Sequence, residues 1–155
     1  MTNGQRLEAG ATIAVVGGGP GGAFAAIHLL NAARRCGRQI RVVIFESRCR
    51  PTQKQAGAQA GPYVGCPLCA GGISPRLHDA LAALRISLPP EIVQASIASI
   101  TVQGNWKSVY LPVPANRRMS SVYRGTLPFG QHLPEDCFDA LLLRAATDTG
   151  AELIG

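Results

Sequence analysis

Residues 13–22 read IAVVGGGPGG, an apolar run that breaks abruptly into glycine. Thr12 to Val16 is short, β-branched and apolar, the composition of a strand buried on both faces. Pro20 stands where a first helical residue tolerates it, because the N–H that proline lacks has no intrahelical partner there. Between strand and helix, the spacing Gly17-x-Gly19-x-x-Gly22 gives each glycine a task. Gly17 permits the tight turn out of the strand, Gly19 opens the backbone to a pyrophosphate, and Gly22 lets the helix lie close on the sheet. Gly18, Pro20 and Gly21 complete a loop in which N–H groups and the positive end of the helix face an anion.

From Gly21 to about Arg35 the residues are helix formers, with Ala23, Ala26, Ile27, Leu30 and Ala33 on one face. Cys36-Gly37 stops this helix, Gly37 being suited to a left-handed cap. A second apolar strand, Ile40 to Phe45, ends at Glu46. An acid there accepts hydrogen bonds from the ribose hydroxyls of an adenosine half and repels a 2′-phosphate, which argues against NADP at this position. A glycine fingerprint set between strand and helix, with an acid ending the next strand, predicts an α/β Rossmann-type dinucleotide-binding fold. Spacing alone does not separate FAD from NAD, since both use the same adenosine-diphosphate grip.

The 155 residues suffice for one domain with a sizeable core, and 46% of them are hydrophobic. The formal charge of +6 is carried by thirteen arginines and two lysines. They are scattered, with short clusters only at Arg34-Arg35 and Arg117-Arg118, so the basic balance reads as a soluble surface and no nucleic-acid partner is expected. The amino terminus lacks the pattern of a signal peptide, and no apolar run approaches the roughly 20 residues that span a bilayer. The five cysteines are therefore expected to be thiols in a cytoplasmic protein. Residues 1–11 are expected to be disordered or extended, ahead of one domain over 12–155.

A polar, glycine- and glutamine-rich connection follows Glu46 and is expected to be a long loop, leading to GCPLCAGGIS at 65–74. Three readings compete for Cys66 and Cys69. A metal site needs a second ligand pair, and none is visible beyond scattered Cys36, Cys49 and His78. A redox dithiol of this spacing usually opens a helix, without a nucleotide fingerprint upstream. The third is a backbone loop in which Ala70-Gly71-Gly72 lies against a flat ring system, with Ser74 and Pro75 capping and starting the next helix. Both cysteines can also be small buried hydrophobes.

In that next helix Leu77, Leu81 and Leu84 form a stripe, and His78 reads as a surface residue. Pro89-Pro90 breaks the pattern, and Glu91 to Ala98 reads as another short helix. SITVQG, KSVYLPVP and MSSVYRG then form three β-type runs, an antiparallel meander or inserted sheet over 98–125, with Trp106 as a packing or hairpin feature. Pro134 opens a last helix, with Glu135 and Asp136 at its positive end. Its expected buried face is Phe138, Leu141, Leu142 and Ala145; Gly150 stops it and Ala151 to Ile154 begins a strand.

VVGGGPGGAFAAIHLL…VVIFE resembles the amino-terminal segment of FAD-dependent oxidoreductases of the p-hydroxybenzoate hydroxylase type, a group that includes geranylgeranyl reductase-like enzymes and FAD-dependent monooxygenases. The resemblance covers nearly all of residues 12–155. It implies a Rossmann-type FAD-binding domain with an inserted antiparallel β piece. The CAGGIS stretch is similar to the Cys-Gly-Gly loop of the geranylgeranyl reductase-like flavoproteins, which lies beside the isoalloxazine and the substrate cavity, here within a flavin-side loop over 47–75. Cys69, Gly71 and Gly72 match it best, whereas Ala70 replaces a common glycine. Arg124, ahead of CFDALLLRAATDTGAEL, matches an arginine that tends to contact the cofactor. The implied cofactor set is Gly17 to Gly22, Glu46, Ser47, Arg48, Cys69, Ala70, Gly71, Gly72 and Arg124.

The family normally continues well beyond this length, and its later Gly-Asp motif and substrate-binding sheet have no counterpart here. The resemblance therefore implies an incomplete, FAD-binding portion of an oxidoreductase acting on a hydrophobic organic substrate. NAD(P)H is a candidate electron donor, and a second polypeptide is a candidate source of the missing part. No catalytic acid–base pair is visible. The competing functions are an FAD-dependent monooxygenase, an NAD-dependent dehydrogenase fragment and a catalytically silent nucleotide-binding module.

Overall fold

A computed structural model of the chain describes residues 7–51, 60–63, 69, 71–125 and 137–155. The expectations for residues 1–6, Cys66, Ala70, Pro134, Glu135 and Asp136 lie outside these. The chain divides into two compact units, one formed by residues up to 64 and from 139 onward, the other by residues 65–138.

The first unit opens with strand β1 (Thr12–Val16), helix α1 (Pro20–Arg35) and strand β2 (Arg41–Phe45). Gly19 is the N-cap of α1 with Pro20 as its first residue, and the face that packs is the one the periodicity predicts: Ala23, Ala26, Ile27, Leu30 and Ala33 are all buried. Small alanines bring the helix axis close to the sheet, and Ile27 and Leu30 each contribute about 1.5–3 kcal/mol by leaving water. Gly37 takes φ +63, the left-handed conformation that ends the helix.

β2 pairs in parallel with β1, from Thr12↔Arg41 to Val16↔Phe45. On its other edge it pairs in parallel with a strand near the end of the chain, Glu152–Ile154. β2 is thus the centre of a three-stranded sheet, and its Val42, Val43 and Ile44 are buried. The expectation that β1 is buried on both faces is corrected. Thr12, Ala14 and Val16, alternate residues that share one face, are exposed, Val16 at 89%, so that face of β1 is uncovered among the described residues.

The connection after Glu46 is not all loop. Strands β3 (Cys49–Pro51) and β4 (Ala60–Tyr63) pair antiparallel within it.

In the second unit, strand β5 (Gly72–Ile73) leads into helix α2 (Pro75–Ala83). Ser74 caps α2 through its hydroxyl, which accepts from the Leu77 N–H at 3.4 Å, and Pro75 occupies the first helical position. Three strands follow, β6 (Val93–Ser96), β7 (Ser99–Gln103) and β8 (Ser108–Pro112), and then β9 (Ser120–Val122). Two expectations fail here. Residues 91–98 are not helical: Val93 to Ser96 pairs antiparallel with β9, and the β-branched Ile92 and Val93 favour the extended chain once a partner strand is at hand. Nor do the three β-rich runs form one meander. β7 and β8 make a separate hairpin with an exposed turn carrying Trp106 at 94% exposure, while β9 joins β5 and β6.

Helix α3 (Phe138–Asp148) and strand β10 (Glu152–Ile154) complete the chain. The buried positions of α3 are Phe138, Asp139, Leu142, Leu143 and Ala146. Leu143 and Ala146 thus take the places expected for Leu141 and Ala145, which are half-buried. Within the first unit, Arg34 at the end of α1 donates to the Thr149 carbonyl after α3, and Arg41 forms a two-pronged ion pair with Glu152, both contacts at 2.6 Å. This pair is solvent-exposed, so its contribution to stability is small.

Among the described residues, no helix is long and apolar enough to cross a membrane.

Candidate functional site

The glycine turn is built by hydrogen bonds that begin in the sheet. Gly17 takes φ +96 and donates its N–H to the Phe45 carbonyl at 2.8 Å, carrying the ladder one residue past β1. That conformation is open to glycine and costly for other residues. Gly18 donates its N–H to Glu46 Oε2 at 2.6 Å, a buried contact, and Arg48 donates its backbone N–H to Glu46 Oε1 at 2.8 Å. Glu46 is only 8% exposed. A buried carboxylate needs such donors, and two charge-assisted bonds hold it against the turn.

The six turn residues differ in the room around them. A Cβ on Gly22 would stand 1.9 Å from the Gly17 carbonyl oxygen, so the start of α1 is pressed onto the turn. On Gly18 it would meet Leu143 Cδ2 at 2.9 Å and the Glu46 side chain at 3.0 Å. Gly19 and Gly21, by contrast, have nothing within 4 Å of a Cβ. Gly19 adopts φ −63 and ψ 179, a backbone shape available to any residue. At these two positions neither packing nor conformation requires glycine, while Gly17, Gly18 and Gly22 are fixed by the fold. Open space at the N-terminus of a 16-residue helix, where the first N–H groups lack intrahelical partners, suits a phosphate oxygen.

The carboxylate of Glu46 has about four lone-pair sites, of which the two backbone N–H groups use two. The remainder can accept from ribose hydroxyls. The residues present therefore fit an adenosine diphosphate group. Leu143 is the contributor that sequence reasoning missed. It braces Gly18 from α3, on a helix face where periodicity points to Leu141 instead.

Ser47 and Arg48 lie on the turn after Glu46 with exposed side chains. Cys69, Gly71, Gly72 and Arg124 belong to the second unit. There Gly71 takes φ +68 and donates its N–H to Cys69 Sγ at 3.4 Å, and its carbonyl accepts from the Val122 N–H at 2.9 Å. A Cβ on Gly71 would stand 1.9 Å from the Val122 carbonyl oxygen. Gly71→Ala is accordingly expected to cost about 3 kcal/mol of stability through clash and backbone strain together, read as a lowered urea midpoint. Gly72 sits in β5, where a Cβ would meet nothing. Arg124 is half-buried just beyond β9.

Among the described residues, no three His, Cys, Asp or Glu side chains gather as a metal site would require. His78 is half-buried, and its Nε2 is sealed from solvent, so it is not the surface residue expected. Compared with known proteins, the sequence matches no family model and no curated relative.

Proposed function

We propose that the glycine turn and Glu46 form the adenosine-diphosphate grip of a Rossmann-type FAD site, and that this chain is the FAD-binding portion of a flavin-dependent oxidoreductase. The observation that carries this reading is the contrast within the turn. Gly22 is locked against Gly17, while Gly19 and Gly21 face open space at the helix start. The Glu46 carboxylate is held beside them. The turn would hold the pyrophosphate and Glu46 the ribose. The choice of FAD over NAD rests on the resemblance to geranylgeranyl reductase-like flavoproteins. So do the proposed cofactor roles of Ser47, Arg48, Cys69, Ala70, Gly71, Gly72 and Arg124, the hydrophobic substrate, and NAD(P)H as electron donor.

When bound, a flavin supplies the electron-pair transfer itself. The work of this chain is to bind and orient it: α1 presents N–H groups to phosphate, and Glu46 fixes the adenosine end. The test is reconstitution. Protein incubated with FAD and desalted is expected to stay yellow, with absorbance near about 450 nm. A colourless product that binds NAD in calorimetry would overturn FAD in favour of a dehydrogenase fragment.

A further inference from the structure

The second unit contains a cleft of about 1180 Å³ between α2, the segment after it and the loop at residues 115–118. None of the residues assigned above to a dinucleotide lines it. Its wall is apolar where Leu81, Ile86, Leu88 and Val93 contribute, and basic where Arg85, Arg117 and Arg118 do. Among the described residues Asp79 is the one acidic residue in the lining, and it pairs with Arg117 at 3.4 Å. Three guanidinium groups and one carboxylate leave two positive charges on the cleft. That balance complements a phosphate monoester, which carries about −1.5 to −2 at neutral pH.

Two further features lie on the same wall. Arg85 is the one non-glycine residue with positive φ among those described, at φ +58, just past the end of α2. The position is the left-handed stop of α2, where the Arg85 N–H donates to the Ala82 carbonyl and the Ile86 N–H to the Leu81 carbonyl; glycine is its usual occupant, and here it carries an arginine that lines the cleft. His78 also lines the cleft, and its Nε2 is buried with no hydrogen-bond partner among the described residues. A buried ring nitrogen without a partner is costly. Burial and the neighbouring Arg118 hold the His78 pKa below its usual value, while Asp79 opposes them. At neutral pH the ring is therefore uncharged and offers one donor and one acceptor.

We propose that this cleft binds a small organic phosphate monoester, its phosphate held by Arg85, Arg117 and Arg118 and its apolar body lying against Leu81, Ile86, Leu88 and Val93. Planar guanidinium groups offer paired donors that match phosphate oxygens, which three scattered lysines would not.

Calorimetric titration of the full chain with hexyl phosphate, inorganic phosphate and hexanol tests this. Hexyl phosphate is expected to bind more tightly than inorganic phosphate, and hexanol not at all. Arg118→Gln is expected to weaken hexyl phosphate by about tenfold or more, the scale of one lost charge-assisted contact. Arg85→Gly is the decisive variant. It should weaken binding similarly while leaving the thermal midpoint unchanged or raised, because glycine relieves the left-handed backbone. Loss of binding with a retained midpoint cannot be ascribed to unfolding. No binding of hexyl phosphate at millimolar concentration, equal binding of hexanol, or full affinity in both variants would overturn the proposal. Co-sedimentation with phosphatidate vesicles, abolished by the same two variants, would support it and assign the phosphate to a lipid headgroup. Binding of soluble hexyl phosphate alone, with no vesicle binding, would support it with a free ligand.

Discussion

Gly22→Ala is expected to abolish measurable FAD binding and to cost the protein about 2–4 kcal/mol of stability. The added Cβ would stand 1.9 Å from the Gly17 carbonyl oxygen and 3.2 Å from Val15 Cγ1. The first of these atoms is backbone, in a turn pinned to Phe45 by a hydrogen bond, so it cannot swing away as a side-chain end does. Relief requires α1 to lift off β1, and that displaces the N–H groups of the turn together. A companion variant separates fold from ligand. Gly19→Ala adds a methyl group that meets nothing and keeps a backbone shape alanine adopts freely. It is expected to melt where the parent does, yet to lose FAD affinity by about a hundredfold if a phosphate fills that space. Fluorescence titration with FAD and a thermal melt on the same samples measure both. Unchanged affinity in Gly19→Ala would remove the phosphate from this turn.

Glu46→Gln is expected to destabilise the first unit by about 2–3 kcal/mol, unusually much for a change that preserves shape. Both carboxylate oxygens accept backbone N–H groups, from Gly18 and Arg48. An amide replaces one acceptor by a donor, so one N–H meets an NH₂ group in a site that is 8% exposed. Glu46→Ala removes both acceptors and strands the Gly18 N–H. Both variants are expected to lower the urea midpoint, and any FAD affinity is expected to fall with it. A midpoint unmoved by Glu46→Gln would mean that the carboxylate does not brace the turn in solution.

The first three elements were legible from residue spacing because independent signals agreed. A β-branched run, proline at the first helical position, glycine at the end and small apolar residues at helical period all place α1 within a residue of its observed bounds. Later segments lacked that agreement. Leu141, Leu142 and Leu143 are equally apolar, so periodicity with Phe138 and Ala145 favours Leu141, whereas packing chose Leu143. Residues 91–98 follow two prolines and begin with an acid, which imitates a helix start. Only the distant β9, pairing Val93 with Val122, selects a strand. In the site, Gly17, Gly22 and Glu46 could be read from their spacing, but the bond from the Gly18 N–H to Glu46 could not. It depends on a side-chain direction that two sequence-distant residues settle only once the sheet has formed.

The central position of β2 has a consequence for biogenesis. On a ribosome, β1, α1 and β2 emerge together and are local enough in sequence to associate at once. The far edge of Val43 to Phe45 is then an unpaired row of backbone groups on an apolar strand, and it stays so until Glu152 to Ile154 has been made. All of the second unit is synthesised in that interval. The nascent chain is therefore most exposed to misassociation while its glycine turn is already shaped, and a holdase that shields strand edges would act in that window.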